Sequence, residues 1–154
     1  MENASARNLW GDFLDAHLEF ASEDAPKVIH FSDNEKDADT CAELVCKEIK
    51  RATSHSLKGI QLRNEKLPKI GDFYVVTDWK GTAKCVIRTT SVKLIPYFAI
   101  REEHARLEGV GDKSLAHWQK VHWEHFTREL AKFDKTPKES MIVVFETFEM
   151  LYKK

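Results

Sequence analysis

Seven of the nine residues from Lys50 to Lys58 are cations, hydroxyls or imidazole: Lys50, Arg51, Thr53, Ser54, His55, Ser56 and Lys58. Hydroxyls beside cations suit phosphate oxygens, or a hydroxyl nucleophile with an amine base. The same mixture marks a solvated helix C-terminus, where the helix dipole favours Lys, Arg and His. A second candidate is the carboxylate of Glu108, which precedes the glycine-flanked stretch Gly109–Asp112. A carboxylate there is either held in a pocket with a perturbed pKa or simply exposed ahead of a loop. His122 and His125 are three apart on a predicted helix, with Glu129 one turn further on. Trp118, Trp123 and Phe126 surround them and no H-E-x-x-H or Cys/His pattern is present, so packed histidines are expected rather than metal ligands. No metal site is expected among Cys41, Cys46, Cys85, His122 and His125. Nucleophile-elbow, phosphate-loop and dinucleotide motifs are missing, and no cofactor is expected.

The elements that must position these residues are legible from periodicity. Leu9, Trp10, Phe13, Leu14, His17, Leu18 and Ala21 recur at helical spacing and predict an amphipathic helix over Ala4–Ser22, packed on the core. Pro26 ends it, and Val28–Phe31 reads as a short extended piece. Ser32 and Glu35 have capping-box spacing ahead of a second helix with Ala38, Cys41, Ala42, Val45 and Ile49 on one face. The pattern is lost over Lys50–Ser56, which reads as a helix-to-loop junction. Lys66–Asp72 is a turn. Phe73–Trp79 and Ala83–Leu94, joined by Lys80–Thr82, form the strongest hairpin signal. A short helix is expected over Ile100–Leu107, and Asp112 is the expected N-cap of a helix carrying Leu115, Trp118, His122, Phe126 and Leu130 on one face. Met141–Tyr152 returns to strand. This order predicts one α+β domain over residues 1–154, its strands closing into a small barrel, with an N-terminal helical segment over residues 4–50.

Composition bounds the function. The 154 residues are 42% hydrophobic and 32% charged, which is ordinary for a globular domain. With 24 Lys and Arg against 25 Asp and Glu, a general electrostatic nucleic-acid binder is disfavoured, while a local basic pocket is not. Three cysteines cannot all pair; Cys41 and Cys46 are spaced for neither a redox motif nor a zinc knuckle, so buried thiols are expected. Met1–Phe13 lacks a cationic start followed by an apolar run, and no stretch approaches the ~20 apolar residues that span a bilayer. The expected compartment is the cytosol, with no membrane partner.

Several segments, in order, resemble the ASCH family of the PUA-like superfamily: Lys50–His55, Leu67–Asp72, Cys85–Thr90, His104–Trp118 continuing through His122, and Phe145–Glu149. Trp10-Gly11-Asp12 is similar to the start of the longer members. The family signature G-x-K-x-x-E-x-R falls on Glu48, Lys50, Thr53 and His55, of which only the lysine matches literally. A threonine in the acid's place is what the small ASCH amidohydrolases show, enzymes that remove the acetyl group from N(4)-acetylcytidine with a Lys, a Thr and a later Glu.

The resemblance implies a PUA-like barrel with flanking helices, and a partner that is RNA or a modified nucleoside. It implies the trio Lys50, Thr53 and Glu108. Thr53 would attack the amide carbonyl, Lys50 would take its proton, and Glu108 would protonate the leaving amine or position water. Arg51 is a candidate for stabilising the oxyanion, and Arg51, His55, Lys58, Arg63 and Ser114 are candidate substrate or RNA contacts. Other members resemble RNA-binding modules or metal-dependent ribonucleases of single-stranded RNA. In that alternative Lys50, Arg51, Lys58 and Arg63 contact phosphates, and Tyr74, Trp79, Tyr97, Phe98 or Trp118 offer stacking faces. The amidohydrolase reading requires Lys50, Thr53 and Glu108 to line one concave pocket.

Overall fold

The computed structural model describes residues 1–154. Helix α1 (Ala4–Ala16) starts where the Asn3 side chain accepts the Ala6 N–H, and it buries Leu9, Trp10 and Phe13. It stops short of Ser22: His17 leaves helical geometry, a single 3-10 turn covers Leu18–Phe20, and Leu18 of the predicted apolar stripe stands 74% exposed. The segment over residues 4–50 is not wholly helical, because β1 (Lys27–Ile29) joins the sheet. In α2 (Glu35–Cys46) the cap is Asn34, which accepts the Asp37 N–H at 2.9 Å. Ser32 lies too far ahead of the first turn to cap it and has a left-handed φ of 69°.

The largest departure from expectation is β2 (Ala52–Ser56). Its polar side chains mask strand periodicity, and the strand exists because its backbone pairs antiparallel with a distant segment, β5 (Ile142–Lys153). Ser56 then caps the short α3 (Leu57–Leu62) by accepting the Gly59 N–H. The predicted hairpin forms as β3 (Phe73–Thr77) and β4 (Ala83–Pro96). Helix α4 (Glu102–Glu108) precedes α5 (Leu115–Ala131). The cap of α5 is Ser114, which accepts the His117 N–H at 3.1 Å. Asp112 sits two residues too early and instead accepts the Ser114 N–H. The last strand is β5 (Ile142–Lys153).

The strands form one sheet in the order β1-β3-β4-β5-β2, parallel only between β1 and β3, and it curls into a half-barrel flanked by helices. All five β3 residues are buried, and alternation along a strand explains how. Phe73 and Val75 pack with Leu9, Trp10 and Phe13 of α1, while Tyr74 and Val76 pack with Cys41, Ala42 and Val45 of α2. A third cluster joins Tyr97, Ile100 and Ala105 to Trp118 and Phe126 of α5. No helix is long and apolar enough to cross a membrane.

Two chain crossings bring the segment after α2 under the end of α4. The Arg51 N–H donates to the Leu107 carbonyl at 2.8 Å, and the Phe148 N–H donates to the Arg51 carbonyl at 3.0 Å. Gly109 ends α4 in the left-handed conformation, φ 69°, with its backbone so close that a Cβ would lie 2.3 Å from the Ile49 carbonyl oxygen. A left-handed Ala costs about 1–2 kcal/mol before that clash is counted. Gly109→Ala is therefore expected to lower the free energy of urea unfolding by more than about 2 kcal/mol. Gly11→Ala, in α1 with nothing within 4 Å of its Cβ, is expected to raise it by roughly 0.5–1 kcal/mol.

Candidate functional site

Lys50 and Glu108 are 4% and 2% exposed, and they meet as a buried ion pair with Nζ 3.1 Å from Oε1. The ammonium also donates to the Ala52 carbonyl at 2.6 Å and lies 5.2 Å from the centroid of the Phe31 ring. The other carboxylate oxygen, Oε2, accepts from Ser54 Oγ at 3.1 Å and from the indole N–H of Trp118, and it lies 2.8 Å from Nε2 of His122. The His122 ring stacks on Trp118, centroids 4.2 Å apart, and its Nδ1 donates to the Trp118 carbonyl at 2.9 Å, since a carbonyl can only accept. Burial pushes the Glu108 carboxyl upward, but the charge of Lys50 and then His122 outweighs it and holds the group well below the usual carboxylate range. Glu108 is thus an ionised acceptor at neutral pH, with a lone-pair site still open on Oε1.

This pair lines a cavity of about 460 Å³ between α2, β2 and the α4–α5 corner, together with Thr53, Ser54, Ser114 and Trp118. A second lobe of about 210 Å³ opens beside it, lined by Thr53, His55, Tyr74, Glu146 and Phe148. Phe31, Ser32, Thr53, Ser54 and His125 belong to both, so Thr53 stands on the partition.

Of the residues singled out in the sequence, Lys50, Thr53, Glu108 and Ser114 line the larger lobe and His55 the smaller. Arg51, Lys58 and Arg63 line neither. The Arg51 side chain is turned back to the Glu48 carbonyl, Lys58 is exposed on α3, and Arg63 is engaged by Glu65 and Glu129. Ser114 faces the cavity with its hydroxyl oxygen already occupied as a helix cap. Ser54, Trp118 and His122 complete the Glu108 cage but carry no motif; Trp118 and His122 do share the helix face that the periodicity identified. No group of three or more His, Cys, Asp or Glu side chains is arranged to hold a metal ion.

Removing one partner of a buried ion pair leaves the other uncompensated and typically costs about 3–5 kcal/mol. Glu108→Gln is expected to lose that much at pH 7, with Lys50 stranded. Because the folded-state carboxyl titrates below its unfolded value, its contribution is complete above about pH 4.3 and fades as pH falls further. Urea unfolding across pH 3–7 is expected to show the gap between wild type and Glu108→Gln narrowing below about pH 4.3.

Residues 27–152 match the ASCH domain family. The ASCH domain of Lactobacillus crispatus JV V101 superposes with a TM-score of 0.90 at 30% identity, over 95% of this chain and 93% of that one. Protein EF3133 of Enterococcus faecalis V583 does so with a TM-score of 0.85 at 29% identity, over 96% and 88%. No curated protein sequence matches the chain. Fold, helix–barrel arrangement and sequence therefore agree, and the chain belongs to the ASCH domain family, a family generally thought to bind RNA.

Proposed function

We propose that this chain hydrolyses the acyl amide of an acylated nucleobase of the N(4)-acetylcytidine class. The observation that carries the reading is the convergence of Lys50, Thr53 and Glu108 on one cavity of about 460 Å³, a volume within the range of small-ligand sites. Thr53 is the nucleophile, standing where both lobes meet. The buried Lys50 ammonium supplies positive potential for the oxyanion that forms on the amide oxygen, an interaction strengthened by exclusion of water. The open lone-pair site on Glu108 Oε1 accepts either the substrate amide N–H or the water that releases the acyl group.

The alternative, an RNA module or ribonuclease reading phosphates through Lys50, Arg51, Lys58 and Arg63, has less geometric support. Lys50 is buried and paired, Arg63 already has two carboxylate partners, and net charge is near zero. Phosphate contacts dominate RNA affinity, and two of the four cations named, Lys50 and Arg63, are already matched by carboxylates.

The test is cytidine release from N(4)-acetylcytidine, run beside salt-titrated binding of a short single-stranded RNA. Thr53→Ala is expected to lower turnover by roughly three orders of magnitude or more while nucleoside affinity stays within about threefold. Lys50→Met is expected to lose turnover and to weaken folding. Wild-type protein that releases no cytidine yet binds RNA with a steep salt dependence would sink the amidohydrolase reading in favour of the RNA module.

A further inference from the structure

A threonine hydroxyl attacks an amide only if something accepts its proton. Lys50 is badly placed to do so. Its donors go to Glu108 and the Ala52 carbonyl, and it would have to give up its own proton 3.1 Å from an ionised carboxylate. The smaller lobe holds a better acceptor. In the β2–β5 register Thr53 lies directly opposite Glu146, and paired residues of an antiparallel ladder point to the same side. His55, two residues on, shares that side. Its Nε2 lies 2.9 Å from Glu146 Oε1, and Glu146 Oε2 accepts from Thr89 Oγ1 at 2.6 Å. Glu146 is 3% exposed, whereas the His55 side chain is 36% exposed and faces the cavity.

Burial raises the Glu146 carboxyl, but the hydrogen bonds from His55 and Thr89, the charge of His55 and the Tyr74 hydroxyl outweigh it and leave it below its ordinary value. An ionised carboxylate can only accept, so Nε2 of a neutral His55 carries the proton and Nδ1 keeps its lone pair.

We infer that His55, oriented by Glu146, is the general base that activates Thr53, making Thr53, His55 and Glu146 a catalytic triad spread over β2 and β5. The inference rests on the amidohydrolase reading and adds two residues to it: His55 as a catalytic residue and Glu146 as a positioning residue. Thr53 Oγ1 bonds to the acyl carbon as its proton passes to His55 Nδ1. The C–N bond then breaks, and the amine leaves with that proton. Water attacks the threonyl ester, His55 takes one of its protons, and carboxylic acid departs as the proton returns to Thr53. The sum is amide plus water giving amine plus acid.

Two substrates separate this inference from the reading beneath it. With N(4)-acetylcytidine, His55→Ala is expected to lower kcat by roughly 10²–10⁴-fold with little change in KM, and added imidazole to restore part of the loss. Glu146→Gln is expected to lower kcat with little change in KM, and Glu146→Asp to restore part of the loss. The titratable groups facing this lobe are Glu146 of β5, Tyr74 of β3, His125 of α5 and His30 beyond β1. His30→Asn and His125→Asn are therefore run as controls, whose kcat added imidazole should not raise as it raises that of His55→Ala.

With p-nitrophenyl acetate, acetylation of Thr53 is read by peptide mass spectrometry whether or not acetylcytidine is a substrate. Wild type should be acetylated at Thr53, and His55→Ala at least tenfold more slowly. Acetylation of Thr53 in His55→Ala at the wild-type rate, or none in wild type, would overturn the triad. Loss of cytidine release in wild type with Thr53 acetylation still dependent on His55 would remove the substrate class and leave the triad standing.

Discussion

A charge pair sealed from water is the constraint around which this domain is arranged. Each ion taken out of water costs several kcal/mol, and mutual attraction offsets that only when geometry is good and the remaining hydrogen-bonding capacity is filled. Glu108 meets the condition but for one lone-pair site on Oε1, with donors from the strand (Ser54), from α5 (Trp118 and His122) and from Lys50 itself. Lys50 meets it with a carbonyl, a carboxylate and an aromatic face. Satisfying both ions therefore fixes how α4, α5 and β2 pack. Apolar residues of similar volume commonly hold such a position as well or better. Stability alone therefore does not account for the charges, and in the amidohydrolase reading they serve the chemistry.

The cleft contains two buried carboxylates with different companions. Glu108 is matched by a cation, a hydroxyl, an indole and an imidazole. Glu146 is matched by an imidazole and hydroxyls, with no lysine or arginine beside it. The first arrangement fixes a strong local field; the second leaves an imidazole with a free nitrogen. Thr53 lines both lobes, and in the proposed chemistry its hydroxyl draws on both kinds of group.

The helices and the β3–β4 hairpin were legible because their apolar residues keep helical or alternating spacing. What escaped were features set by contacts distant in sequence. Nothing local in Lys50–Ser56 says strand; its partner is β5, and only pairing makes it one. Ser32 and Asp112 have good cap chemistry, but Asn34 and Ser114 hold the position immediately before the first turn. At the site, the family resemblance picked out Lys50, Thr53 and Glu108, while spacing alone did not. Trp118 and His122 lay on a face the periodicity had assigned to packing. Glu146 lay within the resembling segment Phe145–Glu149 with no role attached, because burial and a partner on β2 cannot be seen from its neighbours in sequence.

The sheet order also bears on how the domain assembles. β5 lies between β4 and β2, and His55 and Glu146 are 91 residues apart in sequence. During synthesis the β3–β4 hairpin can close locally with α1 and α2 against it. β2, made earlier, has no sheet neighbour until β5 has left the ribosome. Such long-range closure is slow because chain entropy is lost before contacts reward it. The nascent chain thus carries an unpaired polar strand for most of its translation, and both lobes of the cleft come into being late, in the same docking step that completes the sheet.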